Sequence, residues 1–366
     1  MSSTIGNLFK VNVFGESHGS HIGVTITGVP SGMILDFDFI DSMLEKRRGL
    51  KEISTTRQEK DQYQIISGYF NGKTTGAPLT FIIENKDVND KVYDDIKDVI
   101  RPGHADYTAY LKYDGNQDYR GGGYFSGRLT TCLVIAGSIA LLLLKEKGIH
   151  IGSRVKQIYD VKDEETSLTE IKDIINLLNQ QDFPTFSNEK KLEMINKIKE
   201  TREELDSLGG IIETFVDVNS HIFGDPLFNS IEAKVASYLY SIGGVKGVSF
   251  GKGFDFVSLK GSQGNDCYQV VDGKIKQLSN NNGGVNGGIS SKAPLVINTV
   301  IKPTPSIGKT QNSVNVKTLE NVSLNIKGRH DPCIAPRALY VINSVLALAL
   351  IDMIMEEYGK RYFMVK

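Results

Sequence analysis

The order of apolar and polar positions lays out most of the elements before any chemistry is considered. Leu8 to Phe14 (LFKVNVF) and Ile22 to Val29 (IGVTITGV) alternate with a period of two, as half-buried strands do. Tyr63 to Phe70, Leu79 to Glu84, Gly210 to Val218, Val248 to Gly251, Phe254 to Leu259 and Leu295 to Ile301 read as further strands. Asp36 to Arg48 puts Ile40, Met43 and Leu44 on one face of a helix, and Leu227 to Tyr240 does the same with Ile231, Val235 and Leu239. Gly243-Gly244 closes the latter helix. Leu129 to Leu144 and Ala338 to Ile351 are apolar on every face, which predicts helices buried all round. The first of these falls short of the ~20 residues of a membrane span.

Ile158 to Leu208 is different. It is rich in Lys, Glu, Asp and Asn, with Leu168, Ile171, Ile174 and Ile175 at helical spacing, and reads as a peripheral helical insertion with a solvated face. No internal repeat or linker divides the 366 residues, so we expect a single domain over 1–366. The net charge of −1 gives no basic field for nucleic acid or an acidic membrane surface. Cys132, Cys267 and Cys333 are widely spaced, as reduced thiols of a cytoplasmic protein would be. Met1 to Gly6 lacks the basic and apolar regions of a signal peptide. There are 37 glycines, above the usual share of about 7%, and many fall in loops that also carry charge.

Those loops hold the candidate chemistry. Gly15-Glu16-Ser17-His18-Gly19 links two strands, and its glycines predict that His18 is displayed rather than packed. Metal binding by Glu16, His18 and His21 lacks the helical spacing of a zinc pair. The first helix ends in Lys46-Arg47-Arg48-Gly49, which suits either a helix dipole or an anionic ligand. Arg101-Pro102-Gly103-His104 fixes an arginine and a histidine on one turn. Arg120-Gly121-Gly122-Gly123 runs through Ser126 and Arg128 into the buried helix, a form that cradles phosphate. Asn280 to Ser291 is a second glycine-rich loop, and Lys302-Pro303-Thr304-Pro305-Ser306 is a candidate phosphate clamp. Arg329-His330-Asp331-Pro332-Cys333-Ile334-Ala335-Pro336-Arg337 leads into the last apolar helix, so its charged groups lie at a helix N-terminus. We expect all these loops to converge on one anionic pocket.

Six of these stretches, taken in order, resemble the chorismate synthase family: GESHG at 15–19, RPGHADYT at 101–108, DYRGGG at 118–123, GGIS at 287–290, KPTPSI at 302–307 and KGRHDPC at 327–333. The resemblance implies an α+β fold, a β-α-β sandwich with long helices between antiparallel sheets, assembled as a homotetramer. It implies a 1,4-anti elimination of phosphate and a proton from 5-enolpyruvylshikimate 3-phosphate, giving chorismate. Reduced FMN is required without net redox change, and NADPH is a candidate reductant. His18 would protonate or stabilise the reduced flavin, His104 would assist the departing phosphate, and Asp331 would help take the substrate proton by way of flavin N5. Arg47, Arg48 and Arg337 would hold the substrate's anionic groups. FMN would lie against Ser126, Arg128, Gly243, Gly244, Gly287, Lys302, Thr304, Ser306 and Arg329.

The chain departs from the family pattern after the three glycines. The family commonly reads RSSARET there, whereas Tyr124-Phe125-Ser126-Gly127-Arg128-Leu129-Thr130 lacks the first arginine and the glutamate. Leu133 stands where a further arginine is common, and the arginine that often follows the double arginine is replaced near Lys51-Glu52. Two other functions use the same residues: an FMN-dependent NAD(P)H oxidoreductase, and a phospholigand-binding protein with a decayed site.

Overall fold

The computed structural model describes residues 3–54, 61–86, 97–166, 170–219, 221–326 and 331–364. Two five-stranded sheets, antiparallel at every described pairing, enclose a layer of helices. In the first sheet, β1 (Thr4–Ile5), β2 (Lys10–Gly15) and β3 (His21–Thr27) are followed across the sheet by β5 (Leu79–Glu84) and then β4 (Tyr63–Ser67). The second sheet has the order β9 (Val245–Phe250), β10 (Leu295–Ile301), β8 (Gly210–Asp217), β6 (His150–Ile158), β7 (Val161–Lys162). The observed class is therefore the expected α+β sandwich.

Helices α1 (Phe37–Arg48), α3 (Thr130–Glu146) and α7 (Ala335–Tyr358) form the inner layer with α6 (Ile231–Leu239); the short α2 (Asp106–Lys112) lies outside it. The last helix is 24 residues long and buries every residue from Leu339 to Met355. Each Leu or Ile fully buried there contributes about 2 kcal/mol. Length does not separate these helices from membrane spans, since the helical run Gly127–Glu146 covers 20 residues and Ala335–Tyr358 covers 24. Packing does: the two lie against each other, the first also against strands of both sheets and the last against strands of the second sheet. At their crossing a Cβ on Gly137 would come within 2.3 Å of Ser344 Cβ, so only glycine permits the approach.

Between β7 and β8 of the second sheet the chain forms α4 (Ile171–Asn179) and α5 (Asn188–Glu203). Ile175 and Leu178 cover the outer face of the second sheet at Phe215 and Val296, forming a small second core. Met194, Ile195 and Ile198 join the main core. Lys199 and Arg202 of α5 hold Glu52 and Ser54, which brace the chain just after Arg48.

One predicted strand is absent. Gly253–Ser258 forms a short 3-10 helix with Phe254 and Val257 exposed. The preceding Gly251 has φ +53 and packs on the Asn281 carbonyl, which turns the chain out of the sheet. A second link fixes the N-terminus. Asp352, fully buried in α7, accepts the backbone N–H groups of Asn7, Leu8 and Phe9 at 2.7–3.0 Å and the Tyr238 hydroxyl at 3.1 Å. That clamp sets the start of β2, whose Val11 and Val13 form one wall of the cleft described next.

Candidate active site

The turn between β2 and β3 is buried, contrary to the expectation that His18 is displayed. Ser17 and His18 are 5% and 6% exposed. The cause is the glycine loop Arg120–Phe125, which lies over them. Gly121, Gly122 and Gly123 have φ of +56°, +84° and +52°, a conformation that residues with a Cβ rarely adopt. A Cβ on Gly121 would sit 2.1 Å from His18 Cε1 and Nδ1, and one on Gly122 would sit 3.3 Å from His104 Cε1. The Ser17 N–H donates to the Gly123 carbonyl at 3.2 Å. Two of the glycines thus serve as a thin layer against both imidazoles, a role different from the phosphate cradle read from the sequence.

A chain of charged hydrogen bonds connects this turn to the C-terminal motif. Asn85 donates to the Glu16 and Gly19 carbonyls at 3.0 and 2.8 Å and accepts from Arg128 Nε at 3.2 Å. Arg128 also pairs with Asp61, whose other oxygen lies 3.5 Å from Arg47 Nη1. Arg47 donates to Thr130 Oγ1 and the Gly127 carbonyl, each at 2.9 Å. Arg337 donates to the Arg47 carbonyl at 3.1 Å and pairs with Asp331. Burial, opposed by Asp61 and reinforced by Arg337 and Arg128, brings the Arg47 guanidinium down to about 10. Three guanidinium groups around two carboxylates leave the region electropositive.

Beside this network lies a cleft of about 780 Å³, within the range of small-molecule sites. His104, Ser126, Gly243, Gly244, Lys302, Thr304 and Ser306 all line it, so seven residues named from sequence meet there. Lys302 Nζ donates to the Gly103 carbonyl at 2.6 Å and its N–H to the Gly244 carbonyl at 2.9 Å, tying three loops together. Thr304 Oγ1 is buried with no hydrogen-bond partner among the described residues. Ile5, Val11, Val13, Leu133 and Ile334 supply apolar walls, and Lys246 a further cation.

The remaining named residues lie outside that lining. His18, Arg47, Arg128, Asp331 and Arg337 belong to the adjoining network. Arg48 closes α1 with its Nε buried and unpartnered among the described residues. Gly287 occupies the turn of a small hairpin, Val285–Asn286 with Ile289–Ser290. Its loop is pinned by Asp266, which accepts the N–H groups of Asn281 and Asn282 and the Ser279 hydroxyl, and it does not reach the cleft. The expected convergence of every glycine-rich loop therefore fails for 280–291 within one chain. Arg329 and His330 lie outside the described residues. Sequence reasoning missed Asp61, Asn85 and Lys246. Nothing local marks the first two, while Lys246 follows Gly243-Gly244 closely enough to have been found.

The architecture is an α+β sandwich that gathers histidine, lysine and hydroxyl groups on one cleft beside a cluster of arginines and carboxylates. The family model described as chorismate synthase matches residues 9–355. The chain is 41% identical to the chorismate synthase of Korarchaeum cryptofilum (strain OPF8), over 96% of each chain. It is 43% identical to that of Pyrococcus abyssi (strain GE5 / Orsay), over 95% of this chain and 96% of the relative. A crystal structure of a chorismate synthase superposes with a TM-score of 0.74 at 27% identity, covering 97% of this chain and 94% of the other. The chain belongs to the chorismate synthase family, whose members are carbon–oxygen lyases.

Proposed function

We propose that this protein makes chorismate from 5-enolpyruvylshikimate 3-phosphate by 1,4-anti elimination of phosphate and a proton. The observation that carries the reading is His104, held on the wall of the large cleft together with Lys302, Thr304, Ser306 and Ser126. A dianionic leaving group needs a proton donor and fixed cations where its charge develops. His104 is the donor in this reading. Arg48 and Arg337 hold the substrate's anionic groups, and Arg47 orients them through the Arg337 contact and the α3 start. Asp331, oriented by Arg337, is the base that helps remove the substrate proton.

The cleft fits FMN. Apolar walls suit a flavin ring, the orphaned Thr304 hydroxyl and Ser306 suit its polar edge or phosphate, and Lys302 and Lys246 suit the phosphate charge. Ser126, Gly243 and Gly244 complete that contact surface, and the family pattern adds Arg128 and Arg329 as flavin contacts. FMN in its reduced form would supply the electron chemistry of the elimination. His18, buried beneath Gly121, would protonate or stabilise the reduced flavin. NADPH is the proposed reductant.

Assembly as a homotetramer agrees with apolar surface that one chain leaves uncovered. Phe228, Phe254 and Val257 are each more than 80% exposed. The hairpin Tyr268–Val271 with Lys274–Gln277 exposes Tyr268, Val270 and Ile275, and a two-stranded hairpin alone is marginal. A cytoplasmic location follows from the same reading.

The test is anaerobic incubation of purified protein with 5-enolpyruvylshikimate 3-phosphate and dithionite-reduced FMN. Chorismate absorbance appearing without flavin reoxidation is the expected result. NADPH turnover with an electron acceptor and no chorismate would instead mark the oxidoreductase.

A further inference from the structure

The geometry behind His104 is tightly determined. His104 Nδ1 lies 2.7 Å from Asp106 Oδ1. Arg101 grips the same carboxylate through Nη2 to Oδ1 and Nε to Oδ2, both at 2.7 Å, and its backbone N–H donates to Oδ2 at 3.0 Å. Arg101 itself is buried. The turn that carries all three residues is fixed by Gly103, at φ +71°, and by Lys302 on the Gly103 carbonyl.

A contact of 2.7 Å between a ring nitrogen and a carboxylate oxygen requires one proton between them. Burial by itself raises the Asp106 carboxyl, but hydrogen bonds from Arg101 and His104, with their charges, hold it well below the usual carboxylate range. An ionised carboxylate only accepts, so the proton sits on Nδ1. Arg101 Nη2, 3.2 Å from that nitrogen, is likewise only a donor and touches the ring without bonding to it. The opposite edge faces Gly122, whose missing Cβ would lie 3.4 Å from Nε2. His104 lines the large cleft as well, while Gly122 belongs to the small cavity beside it.

We infer that Asp106 is a positioning residue for His104, holding the Nδ1–H tautomer so that Nε2 is the atom that gives its proton to the departing phosphate. The inference rests on His104 being the acid for phosphate departure. In that elimination the C–O bond breaks and its electron pair goes to the phosphate oxygen, while the pair of the broken C–H bond shifts into the ring to make the new double bond. The Nε2–H bond breaks to protonate that oxygen, and the ring is left neutral with its remaining proton on Nδ1. Asp106 therefore stabilises the imidazolium before transfer and fixes the neutral tautomer after it.

Other charged groups face this pair from several elements. Lys97, Asp98 and Asp118 line a cavity of about 40 Å³ behind it, with Tyr110, Tyr119 and Gln117, whose Oε1 has no partner among the described residues. Asp98 is paired with Lys317 at 3.1 Å and Asp118 with Arg120 at 2.9 Å. Lys302 and Lys246 stand on the cleft side. Among the described residues lining either space, Asp106 is the carboxylate bonded to the ring.

The test uses the full chain with reduced FMN and substrate. Asp106→Asn keeps the shape, removes the charge and lets an amide N–H face Nδ1. The expected result is a fall in kcat of about 10²-fold or more with KM little changed. The limb of the pH profile that reports the histidine moves to lower pH, and Asp106→Glu recovers part of the rate. Asparagine leaves Arg101 buried without a counter-charge, so Arg101→Gln with Asp106→Asn serves if the single variant does not fold. Nitrogen-15 spectra of the histidine rings, with His104→Ala identifying the signal, read the tautomer without turnover: Nδ1–H in the native protein, altered in Asp106→Asn. Full turnover with an unmoved pH profile in Asp106→Asn, or a native ring protonated on Nε2 alone, overturns the inference. Full turnover in His104→Ala would instead overturn His104 as the acid, and the ring spectra would still judge Asp106.

Discussion

Arg337 Nε donates to the backbone carbonyl of Arg47 at 3.1 Å, joining the first turn of the C-terminal helix to the last turn of the first. The bond satisfies one of the carbonyls that a helix end leaves without an internal partner. It also places the Arg337–Asp331 pair beside Arg47, so one contact serves both the packing of α1 on α7 and the charge pattern at the site.

Gly121→Ala tests the spacer role of the glycine loop. The new methyl group meets His18 at 2.1 Å in a backbone with φ +56°. We expect His18 to be displaced, kcat/KM to fall by at least about 10-fold, and stability to drop by about 1–3 kcal/mol from strain. Urea denaturation and steady-state turnover read the two effects. An alanine variant with native rate and midpoint would remove the loop from the argument.

Asp61→Asn tests the buried network. Asp61 is 2% exposed in its side chain and faces Arg47 and Arg128, at 8% and 11%. Removing the carboxylate strands buried positive charge, at a cost of about 3 kcal/mol. The urea midpoint should fall accordingly, and substituting Arg128→Gln in the same chain should recover part of it. A loss under about 0.5 kcal/mol would mean that the pair is solvent-screened.

The acid limb of stability should depend on Asp106. Its folded carboxyl is held below the ordinary 3.8, so its contribution is fully present above that value. It is lost as pH falls from there toward the folded value, because the unfolded chain binds the proton first. The stability difference between the native protein and Asp106→Asn should therefore be constant near pH 6 and shrink below about pH 4. A gap that persists unchanged at pH 3 contradicts the linkage.

Thiol labelling should separate the three cysteines. Burial pushes the Cys132 and Cys333 thiols up to about 12, while Cys267 is exposed. At pH 8 a thiolate reagent should modify one cysteine rapidly in the folded protein and all three in denaturant. Rapid labelling of two or more in native buffer would show that the core around α3 or the 331–337 turn opens readily.

Much of this protein is legible in the order of its residues. Short alternating and apolar runs located most strands of both sheets but not His150–Ile158, and uninterrupted apolar runs located α3 and α7, because those patterns report burial directly. The motifs around His18, His104, Lys302 and Asp331 carried the family resemblance, and the expected chemistry came through it. Phe254 to Leu259 has residue types that fit a sheet, but Gly251 turns the chain away and a 3-10 helix forms instead.

What the sequence determined was thus a set of elements and reactive groups. Only the tertiary structure decided that His18 is buried under Gly121, that Asp61 and Asn85 bind the arginines to the GESHG turn, and that the 280–291 loop stays with Asp266. Those facts depend on which surfaces meet across long stretches of chain. No local pattern of polarity carries that information, because a carboxylate that orients a distant arginine looks the same in sequence as one that faces water.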